Sequence, residues 1–410
     1  MLSFIERRTA ELRRSAAFVW NDSRRTVLLA VSAGWFLSLG VRMMYPVLLP
    51  HFRRAYGLDL GTVGLLLTVL WGTYAVGQLP AGVLTDRFGE RTVLATSTGV
   101  SAVILTLVVT ADHAAVLFGT TALFGFATAL YGVARYTAVS QVFPDRDGAA
   151  IGVTLAAGSL GNMLLPATAG AVAATFAWQF GLGFVIPLFL LVAGYLWVGV
   201  PARRTGDASG GLSMATVREV GAALRNPSVG VVTLILVLGF STFQSFTGFY
   251  PTYLIEVKHL DPAVATLLFS LYFGLAIVVQ PLSGAVYDRL GIRRTLPLFL
   301  GVAFIGLVSL PLLEGVWPLA GVTVLLSCMT SNIAVTMPYL TSVLPEAVQG
   351  TGLGVLRTAY MLVGAASPTL FGLLADRGFF DEGFWALAVL VGVIVVLATR
   401  LTESAAVGRR

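Results

Sequence analysis

Long apolar stretches alternate with short polar interruptions along the whole chain, and the stretches are too long for strands or for the buried helices of a soluble core. A helix that crosses the hydrocarbon layer needs about 20 predominantly apolar residues. That window is met at 26–50, 60–85, 92–111, 114–139, 149–173 and 177–199, and again at 228–254, 263–287, 294–312, 316–341, 350–375 and 383–401. The pattern predicts an all-α membrane protein of twelve spans in two sets of six. A polar stretch with Gly and Ser, 200–227, separates the sets as a linker. A basic segment, 1–25, precedes them and a tail, 402–410, follows. The remaining connections are short, so neighbouring spans are expected to be antiparallel hairpins.

One polar interruption occurs twice. Gly82-Val83-Leu84-Thr85-Asp86-Arg87-Phe88-Gly89-Glu90-Arg91 returns as Gly284-Ala285-Val286-Tyr287-Asp288-Arg289-Leu290-Gly291-Ile292-Arg293-Arg294. The spacing of 202 residues also relates Gln78 to Gln280, Gly152 to Gly354, Pro166 to Pro368 and Gly170 to Gly372. A constant spacing across several spans implies an internal duplication, the usual construction of a transporter.

Composition agrees with a lipid environment: 57% of residues are hydrophobic, 11% are charged, and mean hydropathy is +0.86. A soluble domain carries roughly 25% charged residues. The net charge of +6 is no nucleic-acid footprint, because the arginines sort by side. With the N-terminus inside, the inner segments hold nineteen of them, including Arg87, Arg91, Arg146, Arg289, Arg293 and Arg294. The outer loops hold four basic residues, Arg53, Arg54, Lys258 and Arg377. That asymmetry sets both termini in the cytoplasm of a cell membrane. The apolar run after residue 25 leads into further spans, so no cleaved leader is expected. A lone cysteine, Cys328, leaves no disulfide framework or thiolate metal site.

Three charges fall within the spans, all arginine: Arg42 in the first, Arg135 in the fourth and Arg357 in the eleventh. Ionisable groups at membrane depth are costly and mark a pathway by default. Arg42 stands about eight residues from the outer end of its span, roughly 12 Å at the helical rise; the others stand at a similar depth from the inner end. Snorkelling to the headgroups is the competing account. Against it, polar residues lie at helical spacing: Ser38 and Tyr45 beside Arg42, Tyr131 beside Arg135, Tyr360 beside Arg357. No Asp or Glu falls inside a span so drawn, so the expected counter-ion is the substrate. A guanidinium fork suits a carboxylate or phosphate held by two bonds. Gln244 stands at the duplicated position of Arg42, and Asn332, Thr336 and Tyr339 share one helical face, so these are further candidates. Trp71, Tyr74, Gln78, Asn162, Thr247, Tyr272 and Gln280 are weaker ones, for which hydrogen bonding between helices is the plainer account. Pro46, Pro166, Pro251 and Pro368 are expected kinks.

Twelve spans in a six-plus-six duplication, with G-x-x-x-D-R-x-G after the second and eighth, resemble the major facilitator superfamily across residues 26–401. The loop Phe143-Pro144-Asp145-Arg146-Asp147-Gly148, echoed by Leu344-Pro345-Glu346-Ala347-Val348-Gln349-Gly350, is similar to that family's second cytoplasmic loop, with Asp147 and Gln349 where the family has arginine. The resemblance implies two six-helix bundles that rock about a central cavity. It implies that spans 1, 4, 7 and 10 line the cavity, that 2, 5, 8 and 11 flank it, and that Asp86 latches the inner N-terminus of the eleventh span. Gly82, Asp86, Arg87, Gly89, Arg91, Asp288, Arg289 and Arg146 are then gating residues. Arginines on the first and fourth spans resemble the family's organic-anion branch, which often has Asp where this chain has Val41.

The expected function is therefore secondary transport of a small anion, an organic carboxylate, by alternating access and with exchange favoured. The alternatives are an exporter of apolar or drug-like compounds and a nitrate, nitrite or phosphate porter. Gly158-Ser159-Leu160-Gly161-Asn162 faintly resembles the glycine-rich fifth span of nitrate porters, whose arginines on spans 2 and 8 are missing here. No H-E-x-x-H, serine–histidine pairing or phosphate loop suggests an enzyme. No cofactor or metal is expected, and the partners are a small anion and the lipid bilayer around a monomer, with no nucleic acid.

Overall fold

The computed structural model describes residues 22–144, 146–202, 227–344 and 349–401. Most of the basic N-terminal segment, most of the linker, the tail, and Asp145 and 345–348 of the second repeated loop lie outside the described residues. The described chain is helical throughout, and twelve helices are long and apolar enough to cross a membrane. They are α1 (Arg24–Tyr56), α2 (Leu60–Phe88), α3 (Glu90–Val109), α4 (Ala114–Val142), α5 (Asp147–Thr175), α6 (Trp178–Gly199), α7 (Pro227–Glu256), α8 (Pro262–Leu290), α9 (Ile292–Ser309), α10 (Val316–Val343), α11 (Gly352–Asp376) and α12 (Phe380–Thr399). Several run past their apolar windows, as α1 does through His51–Tyr56, because polar and aromatic residues at headgroup level continue the same hydrogen-bonded helix.

The repeated loops are tight turns at which one helix ends and the next begins. Gly89 (φ 79°) and Gly291 (φ 71°) take the left-handed conformation that a side chain resists. Their N–H groups close the preceding helices on Thr85 and Tyr287, each at 2.9 Å. Helix continues through Pro46, Pro166 and Pro251, whereas α11 is interrupted at Ala366, next to Pro368. A 3₁₀ turn, Cys328–Thr330, interrupts α10.

Packing divides the spans into two sets. Within the first, α1 lies on α5, α2 on α4, and α3 on α4 and α6; within the second, α7 lies on α11 and α12, α8 on α10, and α9 on α12. Between the sets, α2 meets α11, α5 meets α8 and α1 meets α7. The α2–α11 seam is tightest at the face opposite the repeated loops. A Cβ on Gly64 would fall 2.4 Å from the Pro368 carbonyl oxygen, and one on Gly372 2.2 Å from that of Leu60, so only glycine allows this approach.

Polar contacts close the same face. The Asp376 carboxylate accepts from the backbone N–H groups of Leu60 (2.8 Å) and Gly61 (2.6 Å), which are unpaired donors at the start of α2. The Thr68 and Thr369 hydroxyls meet at 2.7 Å, and Arg53 pairs with Glu256 at 2.5 Å. Asp59 caps α2 from within its own half, where hydrogen bonds from the Thr62 side chain and backbone hold its carboxyl below the usual carboxylate range.

Candidate functional site

A cavity of about 410 Å³ lies between the two halves, and Arg42, Arg135 and Arg357 all line it. Its volume falls within the roughly 300–1,000 Å³ of small-molecule sites. Aromatic rings make half of the rest. Trp35 and Tyr74 come from α1 and α2, Tyr136 from α4, Phe240 from α7 and Tyr360 from α11. Trp71 meets Phe240 edge-on at 6.2 Å and Phe240 meets Tyr360 at 5.6 Å, so rings from both halves interlock across the wall.

Arg42 and Arg135 are each held by ring faces and one hydrogen bond. Arg42 lies over Tyr74 (3.9 Å), Trp71 (4.9 Å) and Trp35 (5.7 Å), and its Nε donates to the Ser38 carbonyl at 3.0 Å. Arg135 lies over the opposite ring neighbours, Trp35 at 3.7 Å and Tyr136 at 4.0 Å, and its Nη1 donates to the Thr154 hydroxyl at 3.3 Å. Arg42 and Arg135 are each 1% exposed, which excludes snorkelling, while Arg357 is half-buried. No carboxylate lines the cavity, and none of the three arginines pairs with an acid among the described residues. Arg42 Nη2, Arg135 Nε and Arg357 Nε lack hydrogen-bond partners there. Burying a guanidinium costs several kcal/mol, whereas a desolvated cation–π contact returns about 2 kcal/mol. The rings therefore offset only part of the cost, and positive potential remains in the cavity.

Two further cavities adjoin it. One of about 310 Å³ shares Tyr136 and Arg357 and continues along Gln78, Gly82 and Gly354 towards the repeated loops. The other, about 330 Å³, is uncharged and carries Asn162, Gln280 and Asn332. The path thus opens towards the repeated loops and is shut at the opposite face.

Of the residues singled out from sequence, Tyr360 and the weaker candidates Trp71, Tyr74 and Asn162 join the arginines in the wall, Asn332 and Gln280 line the uncharged neighbour, and Gln78 lines the passage towards the repeated loops. Tyr45 does not reach the cavity: it is fully buried against Phe124, with its hydroxyl on Thr121 at 3.3 Å. Tyr131 likewise turns away and donates to the Val31 carbonyl at 2.7 Å. Both lie at helical spacing from an arginine, but spacing fixes a face only to within the width of a neighbouring helix. Thr336 bonds back to Asn332, at 2.9 Å from its Oδ1, and it and Tyr339 are buried outside the cavity wall. Gln244 is buried with both amide atoms lacking a hydrogen-bond partner, one turn from Phe240. Trp35 and Tyr136 were not among the candidates. Trp35 stands two helical turns before Arg42 and Tyr136 directly follows Arg135, so the signal was an aromatic beside each buried cation.

At the repeated loops Asp86, Arg87, Asp288 and Arg289 are exposed, and Asp86 makes no hydrogen bond or ion pair with any described residue. Its expected partner, the inner start of the eleventh span near Gly350, adjoins 345–348, which lie outside the described residues. Arg91 lies over the Trp197 ring at 4.6 Å, and the Arg146 carbonyl accepts from Ala150 at the start of α5. Glu90 lies just outside the predicted 92–111 window, in the longer helix observed. It begins α3, is buried, and accepts from Gln141 Nε2 at 2.6 Å, tying the first loop to α4.

Residues 31–368 match the family model described as Major Facilitator Superfamily. The chain is 27% identical over 311 residues to a probable nitrate/nitrite antiporter of Thermus thermophilus, covering 71% of this chain and 68% of that one. It is 23% identical over 412 residues to a probable sulfoacetate transporter of Cupriavidus necator, covering 90% and 92%. Its backbone is similar to the crystal structure of a bacterial homologue of the human lysosomal transporter Spinster in an inward-facing, unoccupied conformation. That match has a TM-score of 0.77 at 14% identity and covers 93% of this chain and 97% of the other.

Proposed function

This chain belongs to the Major Facilitator Superfamily, a twelve-span integral membrane transporter, and we propose that its cargo is a small organic anion bound by Arg42, Arg135 and Arg357. The observation that carries this is the shared cavity: three guanidiniums face one space that holds no acid. An anion is the species that lowers the energy of such a space, and its carboxylate or sulfonate matches the fork geometry. A cavity of about 410 Å³ suits an organic anion better than a triatomic or tetratomic ion. The relative described as a sulfoacetate transporter supports an organic acid. The relatives described as nitrate/nitrite porters favour a second reading, an inorganic monoanion.

Arginine sidedness puts the repeated loops in the cytoplasm, and with them both termini of a cell-membrane protein. On that orientation the conformation is open inward. Asp376 on the start of α2 holds the outer seam shut, and Asp86 on the start of α11 is the latch of the opposite state. The carrier works as a monomer through rocking of its halves. Without cargo the positive cavity must be carried through an occluded, water-poor state, so the empty protein reorients slowly and exchange outruns net flux.

Proteoliposomes test this with labelled succinate, acetate and nitrate as probes. Entry into vesicles preloaded with the unlabelled probe is expected to be at least several-fold faster than into empty ones, and to vanish in Arg42→Gln. Equal rates with and without internal probe contradict exchange, and selective entry of nitrate favours the second reading.

A further inference from the structure

The three guanidiniums divide unequally between the halves. Arg42 and Arg135, from α1 and α4, lie over the same indole, Trp35, at 5.7 and 3.7 Å, so they form one cationic cluster in the first half. Arg357 comes from α11 in the second half and stands at the junction with the cavity that runs towards the repeated loops. Building on the anion-carrier reading, we infer that the cargo has two separate anionic groups, one held by the Arg42–Arg135 cluster and one by Arg357.

Three observations meet in that inference. The first is charge. A monoanion leaves two of three cavity cations without a mate, and like charges in a low-dielectric space repel. A dianion leaves one, beside aromatic faces that offset part of its cost. The second is hydrogen bonding. Free donors occur at both stations, Arg42 Nη2 and Arg135 Nε in the first half and Arg357 Nε in the second. Arg357 reaches the shared space from the second half, so a two-headed molecule can meet each half with its own anionic group. The third is the wall itself: no carboxylate lines it, so nothing repels a second negative group.

A two-headed anion also gives the halves a reason to approach. Each head neutralises one half, and the connecting atoms tie them, so the occluded state gains from the cargo only when both heads are seated. A monoanion seated in the first half alone leaves Arg357 as it was.

The test uses the full chain purified in detergent at constant ionic strength, with thermal stability as the readout. Malonate, succinate and glutarate are each titrated against the monocarboxylate of equal chain length: propionate, butyrate and valerate. At least one dicarboxylate is expected to half-saturate at about a tenfold or lower concentration than its partner, the scale of one charge-assisted hydrogen-bonded group. In Arg357→Gln that preference is expected to shrink to within about threefold while both members still stabilise the protein through Arg42 and Arg135. Arg357→Lys, which keeps the charge, is expected to retain the preference, so a folding defect at this position is distinguishable. If every monocarboxylate matches its dicarboxylate in the wild-type protein, the two-headed cargo is overturned while the anion reading stands. If neither series, nor nitrate, moves the melting curve, the anion reading itself falls.

Discussion

Arg42 and Arg135 bracket Trp35, and this triple is the smallest unit in which the chemistry of the cavity is visible. Replacing Trp35 with Leu removes a ring from under two cations. Anion affinity in a melting titration is expected to fall several-fold, with stability lower by about 3 kcal/mol for the lost buried ring. Tyr131→Phe makes the opposite case. Its hydroxyl serves the Val31 carbonyl and not the cavity. Denaturant midpoints should show a loss of about 1 kcal/mol, with anion affinity unchanged; a changed affinity would return Tyr131 to the site. The three arginines were legible in sequence because charge inside an apolar run is rare and costly. Tyr45 and Tyr131 misled because spacing along one helix does not say which neighbour the face meets. Trp35 and Tyr136 went unnoticed because aromatic residues in a membrane span ordinarily pack, and only the cation across from them gives them a role.

Helix ends carry the residues proposed to gate the carrier. Gly372-Leu373-Leu374-Ala375-Asp376-Arg377 at the end of α11 repeats the G-x-x-x-D-R order of the loop that ends α2, although Asp376 and Arg377 have no counterparts at the 202-residue spacing. It does to the start of α2 what Asp86 is proposed to do to the start of α11, placing a carboxylate on unpaired N–H groups at a positive helix end. Asp376→Asn should loosen the closed face. With Thr369→Cys as reporter and Cys328 replaced by Ser, labelling by a membrane-impermeant thiol reagent is expected to rise several-fold; unchanged labelling would show that glycine packing alone holds the seam. Asp86→Asn should slow turnover without abolishing anion binding. The span limits were legible to within a few residues, since twenty apolar residues in a row leave little choice. The seam was not, because Asp376 and Leu60 lie far apart in sequence and their meeting depends on which face of the carrier is closed.

At the scale of the whole molecule, the duplication read from residue spacing, the twelve spans and the family agree. What no pattern contained was the state captured, and the set of rings that meets Arg42, Arg135 and Arg357 in one cavity. Both follow from how two rigid six-helix sets lean on each other. The central physical claim is that three positive groups sit in a poorly solvated space whose protein walls supply no negative charge. Such a space is strained when empty and relieved by an anion, which leads to a crossing of stabilities. The decisive measurement compares the melting temperature of the wild-type protein and Arg135→Gln, first at low ionic strength without added carboxylate and then with saturating succinate. The expected result is that the variant melts no lower than the wild type in the first condition and below it in the second, because only the wild type gains fully from ligand. A variant that melts lower in both conditions, with equal gains from succinate, would contradict the claim.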